Sequence, residues 1–293
     1  RIETDPDQSQ LTRRYTARAA AFIERNRARP FFLFLSHNMP HTPIFASDAF
    51  RGKSRRGLYG DAVEELDWST GELLATLRRT GLDRDTLVIF TSDNGPWLIF
   101  GDHGGSPGPL RGGKREATEG GFRVPAIFRW PGRIPPRRVS GEVATNMDIL
   151  PTVARLAGAG LPPHPIDGRD IWPLLSAQPG ARSPHEAFFY YYEQELRACR
   201  SGKWKLVLPH TDRAVPDPAR IGRGGVRGEV HTVEYRQALY DLSADPAERN
   251  DLSAKHPDIV ARLAGLCERA RGDLGDSATG RKGAGVRVAF LGK

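Results

Sequence analysis

The chain has 293 residues, 39% of them hydrophobic, which is enough to build one large domain or two smaller ones and excludes a disordered or fibrous protein. Its longest apolar runs, such as residues 31–35 and 87–90, are far too short to cross a bilayer, so we expect no membrane span. The net charge of +8 favours an anionic partner, but the basic run 51–56 has no aromatic residues for base stacking, so we expect a solvated loop and no nucleic acid.

The first ninety residues predict two units, each a helix followed by a strand. Apolar residues recur at helical spacing over residues 11–26, Pro30 ends that helix, and the continuous apolar run 31–35 follows as a buried strand. Helical spacing returns over residues 61–77, and a second apolar run at 86–90 predicts another strand.

A further apolar run at residues 125–130 predicts a third strand, and residues 148–156 predict a short helix. Strands that are apolar at every position are typical of a parallel sheet covered by helices, because neither face of such a sheet reaches solvent. This part of the sequence therefore predicts an α/β sandwich.

Beyond about residue 180 the pattern changes to short strands separated by polar and glycine-rich connections. Three of them predict a small antiparallel sheet, at residues 188–192, 204–208 and 238–242. Residues 257–271 predict a terminal helix, and the segment 212–228, rich in Gly, Pro and Arg, is predicted to be mobile. The predicted division is an α/β domain at 1–180, an α+β subdomain at 181–275 and a flexible tail at 276–293.

The two cysteines, Cys199 and Cys267, lie far apart and show none of the Cys-x-x-Cys or Cys/His spacing that indicates zinc. Buried free thiols are the favoured interpretation, and a single disulfide is the alternative.

Polar residues follow the first two predicted strands, at the place where ligands bind in open α/β sheets. Asp93 and Asn94 lie at the end of the second strand and offer a carboxylate and an amide oxygen, which suit Ca²⁺ or Mg²⁺. An Asx turn is the structural alternative, because Asp-Asn-Gly is a common turn sequence.

A glycine-rich run at 104–125 permits close backbone approach to a ligand, and its Lys114 offers a cation to an anionic group. The run lacks the GxxxxGK[ST] pattern of a phosphate-binding loop, and a plain surface loop is the alternative. His37, His41 and His103 are candidate site residues, although each one taken alone is better explained as a structural histidine.

Five sequence blocks together resemble the C-terminal two thirds of arylsulfatases in the type I, formylglycine-dependent sulfatase family. They are FFLFLSHNMPHTP at 31–43, LVIFTSDNG at 87–95, GPLRGGKREATEGGFRVPAIFRWPG at 108–132, MDILPT at 147–152 and LYDLSADPAERNDL at 239–252. The resemblance implies a partial alkaline phosphatase-like sandwich with a small C-terminal antiparallel sheet and a helix.

The resemblance also implies roles for individual residues. His41 corresponds to the histidine that contacts the sulfate and helps to protonate the departing alcohol. Lys114 corresponds to the lysine that binds the ester near its bridging oxygen. Asp93 and Asn94 correspond to the pair that completes the shell of one Ca²⁺, with Mg²⁺ less favoured. Asp102 and His103 are weaker candidates for substrate selection.

The sequence departs from the family pattern in its nucleophile. It has neither the N-terminal Asp-Asp metal pair nor a Cys-x-Pro-x-Arg motif, whose cysteine is oxidised to formylglycine, and neither Cys199 nor Cys267 fits that motif. The resemblance therefore implies a C-terminal portion of a sulfatase, inactive by itself, with the formylglycine in a segment before Arg1 and a possible association with that segment.

The function expected from the resemblance is calcium-dependent hydrolysis of a sulfated small molecule or carbohydrate, in the periplasm or outside the cell. Two alternatives stay open. One is a phosphate or phosphonate ester hydrolase of the same superfamily, which shares the metal and the tetrahedral anion chemistry. The other is a catalytically inactive remnant.

Overall fold

The structure, a computed structural model, describes residues 3–287, so the last residues of the predicted flexible tail, 288–293, lie outside the described part. The helices are α1 (Leu11–Arg25), α2 (Gly57–Arg79), α3 (Glu119–Phe122), α4 (Ile149–Leu156), α5 (Trp172–Leu175) and α6 (Pro257–Leu274). The strands are β1 (Val88–Thr91), β2 (Ala126–Arg129), β3 (Phe188–Tyr192), β4 (Glu195–Ser201), β5 (Trp204–Val207), β6 (His210–Pro216), β7 (Val230–Tyr235) and β8 (Ala238–Asp241). Short 3₁₀ helices occupy Gln8–Gln10, Leu98–His103, Asn146–Asp148 and Ser277–Thr279. None of the helices within residues 3–287 combines the length and apolar character needed to span a membrane.

Helices α1 and α2 pack against each other through small polar side chains as well as apolar ones. The buried Thr16 hydroxyl of α1 donates to the Ser69 hydroxyl of α2 at 2.7 Å. The buried Glu65 of α2 accepts the backbone N–H of Ser47 at 2.9 Å. Buried polar groups need hydrogen-bond partners. The first bond therefore fixes the packing of α1 on α2, and the second holds the segment that precedes α2.

The predicted strand at 31–35 is wrong. No strand among residues 3–287 pairs with this segment, and its Phe32 and Phe34 are 68% and 80% exposed. The alternate side chains are half-buried, and the Phe31 ring lies 5.8 Å from the Phe22 ring of α1. An apolar run favours an extended backbone, but it does not supply a neighbouring strand.

The strand predicted at 86–90 is present as β1, and the one predicted at 125–130 is present as β2. Their predicted parallel arrangement is wrong, because β1 and β2 form an antiparallel pair in which Val88 faces Arg129 and Thr91 faces Ala126. Every strand pair within residues 3–287 is antiparallel. The α/β class is confirmed by the mixture of helices and sheets, although the described sheets contain no parallel pair.

The predicted antiparallel sheet and terminal helix after residue 180 are confirmed. Strands pair in the order β3-β4-β5-β8, and α6 packs on one face of this sheet. Leu206 and Leu239 of the sheet are buried with Leu263 of the helix in one apolar core. Both cysteines lie in this core as buried free thiols.

Strand β6 overlaps the start of the segment 212–228 that was predicted to be mobile, and its hairpin partner β7 begins just after that segment. Neither strand was predicted from the sequence. The connection between them, at 217–229, docks on the 3₁₀ helix Leu98–His103. The carbonyl of Ile99 accepts the backbone N–H groups of Gly222 at 3.1 Å and of Gly228 at 2.8 Å. This contact joins the second half of the chain to the segment that follows β1.

Candidate functional site

The turn after β1 is held in place by a residue from another sequence block. The Asn146 amide donates from Nδ2 to the Ser92 carbonyl at 2.8 Å and accepts at Oδ1 from the Thr91 hydroxyl at 3.2 Å. These two bonds fix the backbone immediately before Asp93 and Asn94. Asn146 lies next to the MDILPT block, so the structure brings together two blocks that are far apart in sequence.

The glycine-rich loop at 111–122 meets the same turn. The backbone N–H of Gly95 donates to the Gly121 carbonyl at 3.0 Å, and the backbone N–H of Lys114 donates to the Pro96 carbonyl at 2.8 Å. A Cβ atom at Gly95 would lie 1.8 Å from the Gly120 carbonyl oxygen, so only glycine permits this approach. Lys114 is therefore anchored next to the Asp93–Asn94 turn.

Trp97 brings His41 and Lys114 together. The centroids of the His41 and Trp97 rings are 5.3 Å apart, and the Lys114 ammonium nitrogen lies 4.8 Å from the Trp97 ring centroid. The guanidinium carbon of Arg115 lies 5.6 Å from the same centroid, and the Phe100 ring lies at 4.8 Å. The two residues predicted to contact the substrate thus share one aromatic side chain, which sequence reasoning missed.

His41 is exposed, and its ring is oriented by its own backbone neighbour. Nδ1 lies 2.6 Å from the Thr42 carbonyl oxygen, which assigns the hydrogen of the neutral ring to Nδ1. Nε2 is then the acceptor in the neutral ring and a donor in the protonated ring. This arrangement suits proton transfer at Nε2.

Asp93 and Asn94 offer the oxygen ligands that a hard cation prefers, but two ligands are too few to complete a site. Asp93 is exposed, and the Asn94 amide nitrogen donates to the Gly95 carbonyl at 3.0 Å, so its amide oxygen is the atom that could serve a cation. Ca²⁺ takes about six to eight oxygen ligands. No group of three or more His, Cys, Asp or Glu residues that could hold a metal occurs within residues 3–287.

The other two candidate histidines contact other parts of the chain. His37 is half-buried with Nε2 3.2 Å from the Ser69 hydroxyl of α2, and burial lowers its pKa, so its contacts are those of a structural residue. His103 lies against the connection between β6 and β7, where a Cβ atom at Gly225 would be 3.1 Å from its Nδ1. Next to it, Asp102 accepts the backbone N–H of Gly224 at 2.9 Å.

The loop that carries Lys114 has a buried carboxyl group at its centre. Glu116 accepts the backbone N–H of Gly113 at 3.0 Å. Burial raises the pKa of Glu116 to about 7, against the opposing effect of that hydrogen bond. The bond closes the turn at Lys114, so Glu116 shapes the backbone from which the lysine projects.

Models of known families match most of the chain. The model described as sulfatase matches residues 3–159, and the model of the C-terminal region of aryl-sulfatase matches residues 183–282. A third, described as the C-terminal part of N-sulphoglucosamine sulphohydrolase, matches residues 113–212.

Individual relatives agree with these matches. The chain is 45% identical over 290 residues to the steryl-sulfatase of Mus musculus, covering 90% of this chain and 46% of that protein. It is 43% identical over 278 residues to the N-acetylgalactosamine-6-sulfatase of Canis lupus familiaris, covering 89% of this chain and 52% of that protein. The crystal structure of PsFucS1 sulfatase from Pseudoalteromonas sp. superimposes with a TM-score of 0.79 at 28% identity, covering 92% of this chain and 54% of that one.

The chain spans about half the length of the curated relatives that it matches. Within that half, the similarity extends over nearly all of its residues and includes the segments around His41, Asp93 and Lys114. The similarity to solved sulfatases also confirms the alkaline phosphatase-like fold class expected from the sequence. On these grounds the chain belongs to the sulfatase family.

Proposed function

We propose that this chain supplies the sulfate-binding and leaving-group side of an active site that hydrolyses sulfate esters. The observation that carries the proposal is the meeting of His41 and Lys114 at Trp97, next to the turn that holds Asp93 and Asn94. A cation, a proton donor and two oxygen ligands in one place suit a substrate that is itself a tetrahedral anion. The names of the relatives support sulfate as that anion.

Cleavage of a sulfate ester leaves negative charge on the departing oxygen, and two side chains would stabilise that charge. Lys114 places an ammonium group near the bridging oxygen. His41, protonated at Nε2, donates a proton to the departing alcohol as the bond breaks. Nδ1 keeps its hydrogen bond to the Thr42 carbonyl throughout, so the ring stays oriented during the transfer.

Sulfatase relatives imply a metal ion, and we propose that Asp93 and Asn94 provide two oxygen ligands to a divalent cation, with Ca²⁺ favoured over Mg²⁺. Such a cation would neutralise charge on the nonbridging sulfate oxygens. The 293 residues contain no Cys-x-Pro-x-Arg or Ser-x-Pro-x-Arg motif. The proposal therefore concerns binding and protonation by this chain and assigns no nucleophile within it.

The substrate class that we propose is a sulfated small molecule or carbohydrate. Trp97 and Phe100, in edge-to-face contact, offer an apolar surface next to Lys114 on which a ring system could pack. The names of the relatives include a steroid sulfate and a sugar sulfate as substrates. Both are ring systems that carry a sulfate ester.

The test uses the protein expressed from its complete reading frame. We expect hydrolysis of nitrophenyl sulfate to exceed hydrolysis of nitrophenyl phosphate, and His41→Ala and Lys114→Ala each to lower kcat/KM for an alkyl sulfate by about 10² to 10⁴. Matched controls are His164→Ala and Lys255→Ala, which change exposed residues of the same types. A preference for the phosphate ester, or equal losses in the control variants, would contradict the proposal.

A further inference from the structure

Glu119 joins the glycine-rich loop to the C-terminal sheet. It is the first residue of α3, and its side chain is only 1% exposed. Its carboxylate accepts a hydrogen bond from the Tyr190 hydroxyl of β3 at 2.6 Å and pairs with Arg200 of β4 at 3.2 Å. Lys205 of β5 lies 3.3 Å from the same carboxylate. Three neighbouring strands therefore hold one side chain of the loop.

Lys205 and Glu248 complete the group. Lys205 is fully buried, and its ammonium lies 2.8 Å from the Glu248 carboxylate and 4.0 Å from the Tyr190 ring centroid. The other carboxylate oxygen of Glu248 accepts the backbone N–H of Glu119 at 2.8 Å. We call these five residues the buried charge cluster: Glu119, Tyr190, Arg200, Lys205 and Glu248.

The cluster has balanced charge, with two carboxylates facing two cations. Burial alone would raise the pKa of Glu119, but Lys205, Tyr190 and Arg200 outweigh burial and hold that pKa below its ordinary value. Glu119 therefore stays ionised near neutral pH. A buried ion pair often adds no more stability than apolar residues of the same size would. The contribution that we assign to these pairs is therefore the fixed relative orientation of the residues that they join.

Backbone groups of α3 also contact the candidate site. Gly121 accepts the backbone N–H of Gly95, and the backbone N–H of Gly120 donates to the Arg111 carbonyl at 2.7 Å. Between Arg111 and Gly120 lies Lys114, whose own N–H is bound to Pro96. The buried charge cluster thus holds α3 through the Glu119 side chain. The backbone of α3 in turn binds the turn after β1 and the loop that carries Lys114.

We propose that the buried charge cluster positions Lys114 and the Asp93–Asn94 turn for catalysis, an inference that rests on the proposed function. Its members are positioning residues, because their contacts reach the site through α3 and the backbone of the loop. The C-terminal sheet acts through them as the support for the ester-binding lysine.

Two variants test the inference in the protein expressed from its complete reading frame. Tyr190→Phe keeps every charge and the ring, and it removes only the hydrogen bond to Glu119. Lys205→Met removes the cation shared by both carboxylates. The matched control is Arg271→Met in α6, which removes a partly buried ion pair with Asp276, at 2.7 Å, and a second pair with Glu268. Neither pair includes a residue of α3.

The first measurement is hydrogen exchange at the backbone amides of Gly95, Lys114 and Gly120. We expect both cluster variants to accelerate exchange at these amides by about tenfold or more, and the control to leave it unchanged. The second measurement is kcat/KM for an alkyl sulfate relative to a nitrophenyl sulfate. We expect both cluster variants to lower this ratio, as Lys114→Ala does, with the control lowering only the Tm.

Unchanged exchange in Tyr190→Phe would overturn the inference even if Lys205→Met does not fold. Faster exchange with an unchanged ratio of the two esters would also overturn it, because the cluster would then have a structural role alone. A wild-type protein without sulfate ester hydrolysis would overturn the proposed function and be recognised before any substitution is made.

Discussion

At the scale of single residues, Trp97 explains how the Lys114 ammonium is restrained and yet keeps its donors for the proposed substrate. An ammonium on an aromatic face is attracted by about 0.5 to 2 kcal/mol, depending on its exposure to solvent. Lys114 lies 4.8 Å from the Trp97 ring centroid in this way. Because the ring attracts the charge without accepting a conventional hydrogen bond, the three N–H donors of the ammonium remain available to the oxygens of a sulfate ester.

The assigned roles of His41 and Lys114 predict a dependence on the leaving group. A basic departing oxygen needs a proton or a cation, whereas a nitrophenolate needs little help. We expect His41→Ala and Lys114→Ala to lower kcat/KM for an alkyl or sugar sulfate about ten- to a hundredfold more than for a nitrophenyl sulfate. Equal losses on both esters would remove His41 from the proton-donor role and leave it as a sulfate-binding residue.

Asp93→Ala is the contrasting variant in the same experiment. A metal ligand neutralises charge for every ester, so we expect its loss to be similar across leaving groups and partly relieved by added calcium. A loss confined to poor leaving groups would contradict the assignment of Asp93 as a metal ligand.

At the scale of elements, the contact of the glycine-rich loop with the turn after β1 depends on a single glycine. In Gly95→Ala, the new Cβ would lie 1.8 Å from the Gly120 carbonyl oxygen, so the two segments must move apart. In the protein expressed from its complete reading frame, we expect a loss of about 1 to 3 kcal/mol in the free energy of unfolding, measured by denaturant titration, together with a loss of the proposed sulfate ester hydrolysis.

The matched control for that variant is Gly71→Ala in α2, where a Cβ would meet nothing within 4 Å. Alanine stabilises a helix interior by about 0.5 to 1 kcal/mol relative to glycine, so this variant should gain stability and keep its activity. A Gly95→Ala protein as stable and active as the wild type would show that the loop does not need this close approach.

The buried Glu116 makes the loop sensitive to pH. Its pKa is raised from 4.5 to about 7, chiefly by burial. The folded state therefore keeps a proton that the unfolded chain releases. The contribution of Glu116 to the free energy of unfolding accordingly falls as pH rises from about 4.5 to about 7 and is level above that pH. The difference in pKa corresponds to on the order of 3 kcal/mol.

Glu116→Gln should remove that dependence, because the amide oxygen can still accept the Gly113 N–H and carries no charge. Denaturant titrations between pH 4.5 and pH 8 would measure it. We expect the free energy of unfolding of the variant to increase relative to that of the wild type as pH rises. Glu64→Gln, a change of an exposed residue on α2, should show the same pH dependence as the wild type. Parallel pH profiles for Glu116→Gln and the wild type would contradict the raised pKa.

Helices could be predicted from the apolar pattern of their own segment, whereas strands, which need a partner elsewhere in the chain, were harder to predict. Helices α1, α2 and α6 carry their own apolar periodicity, and each was predicted close to its observed range. The run that became β1 and the segment 31–35 are both apolar, yet of the two only β1 pairs with another strand within residues 3–287, namely β2. Strand pairing is decided across the chain, so an apolar run cannot reveal it.

At the scale of the whole molecule, the sequence identified those candidate site residues that lie in the blocks resembling sulfatases. His41, Asp93, Asn94 and Lys114 could be named from the sequence, and their roles stay proposals. Glu119 and Lys205 could not be paired, because 86 residues separate them and neither lies in a pattern that indicates an ion pair. The predicted division at residues 180 and 275 also stays a proposal, and the buried charge cluster would join its first two parts.

The last prediction concerns apolar surface in the 293-residue chain expressed alone. Phe32 and Phe34 are 68% and 80% exposed, and Ile127 of β2 is 62% exposed. Large exposed apolar side chains bind hydrophobic dyes and promote association. We expect this chain to bind such a dye and to self-associate, and Phe32→Ser combined with Phe34→Ser to reduce both, as measured by dye fluorescence and light scattering.

The same double variant should leave the free energy of unfolding within about 0.5 kcal/mol of the wild-type chain, because side chains that are mostly exposed contribute little to packing. Phe31→Ser is the matched control, since that neighbouring ring is half-buried against Phe22 and its loss should lower stability. A large loss of stability in the double variant, or dye binding that the double variant does not change, would show that Phe32 and Phe34 are covered in solution. Within residues 3–287 no strand pairs with segment 31–35, so nothing in the described sheets covers these two rings.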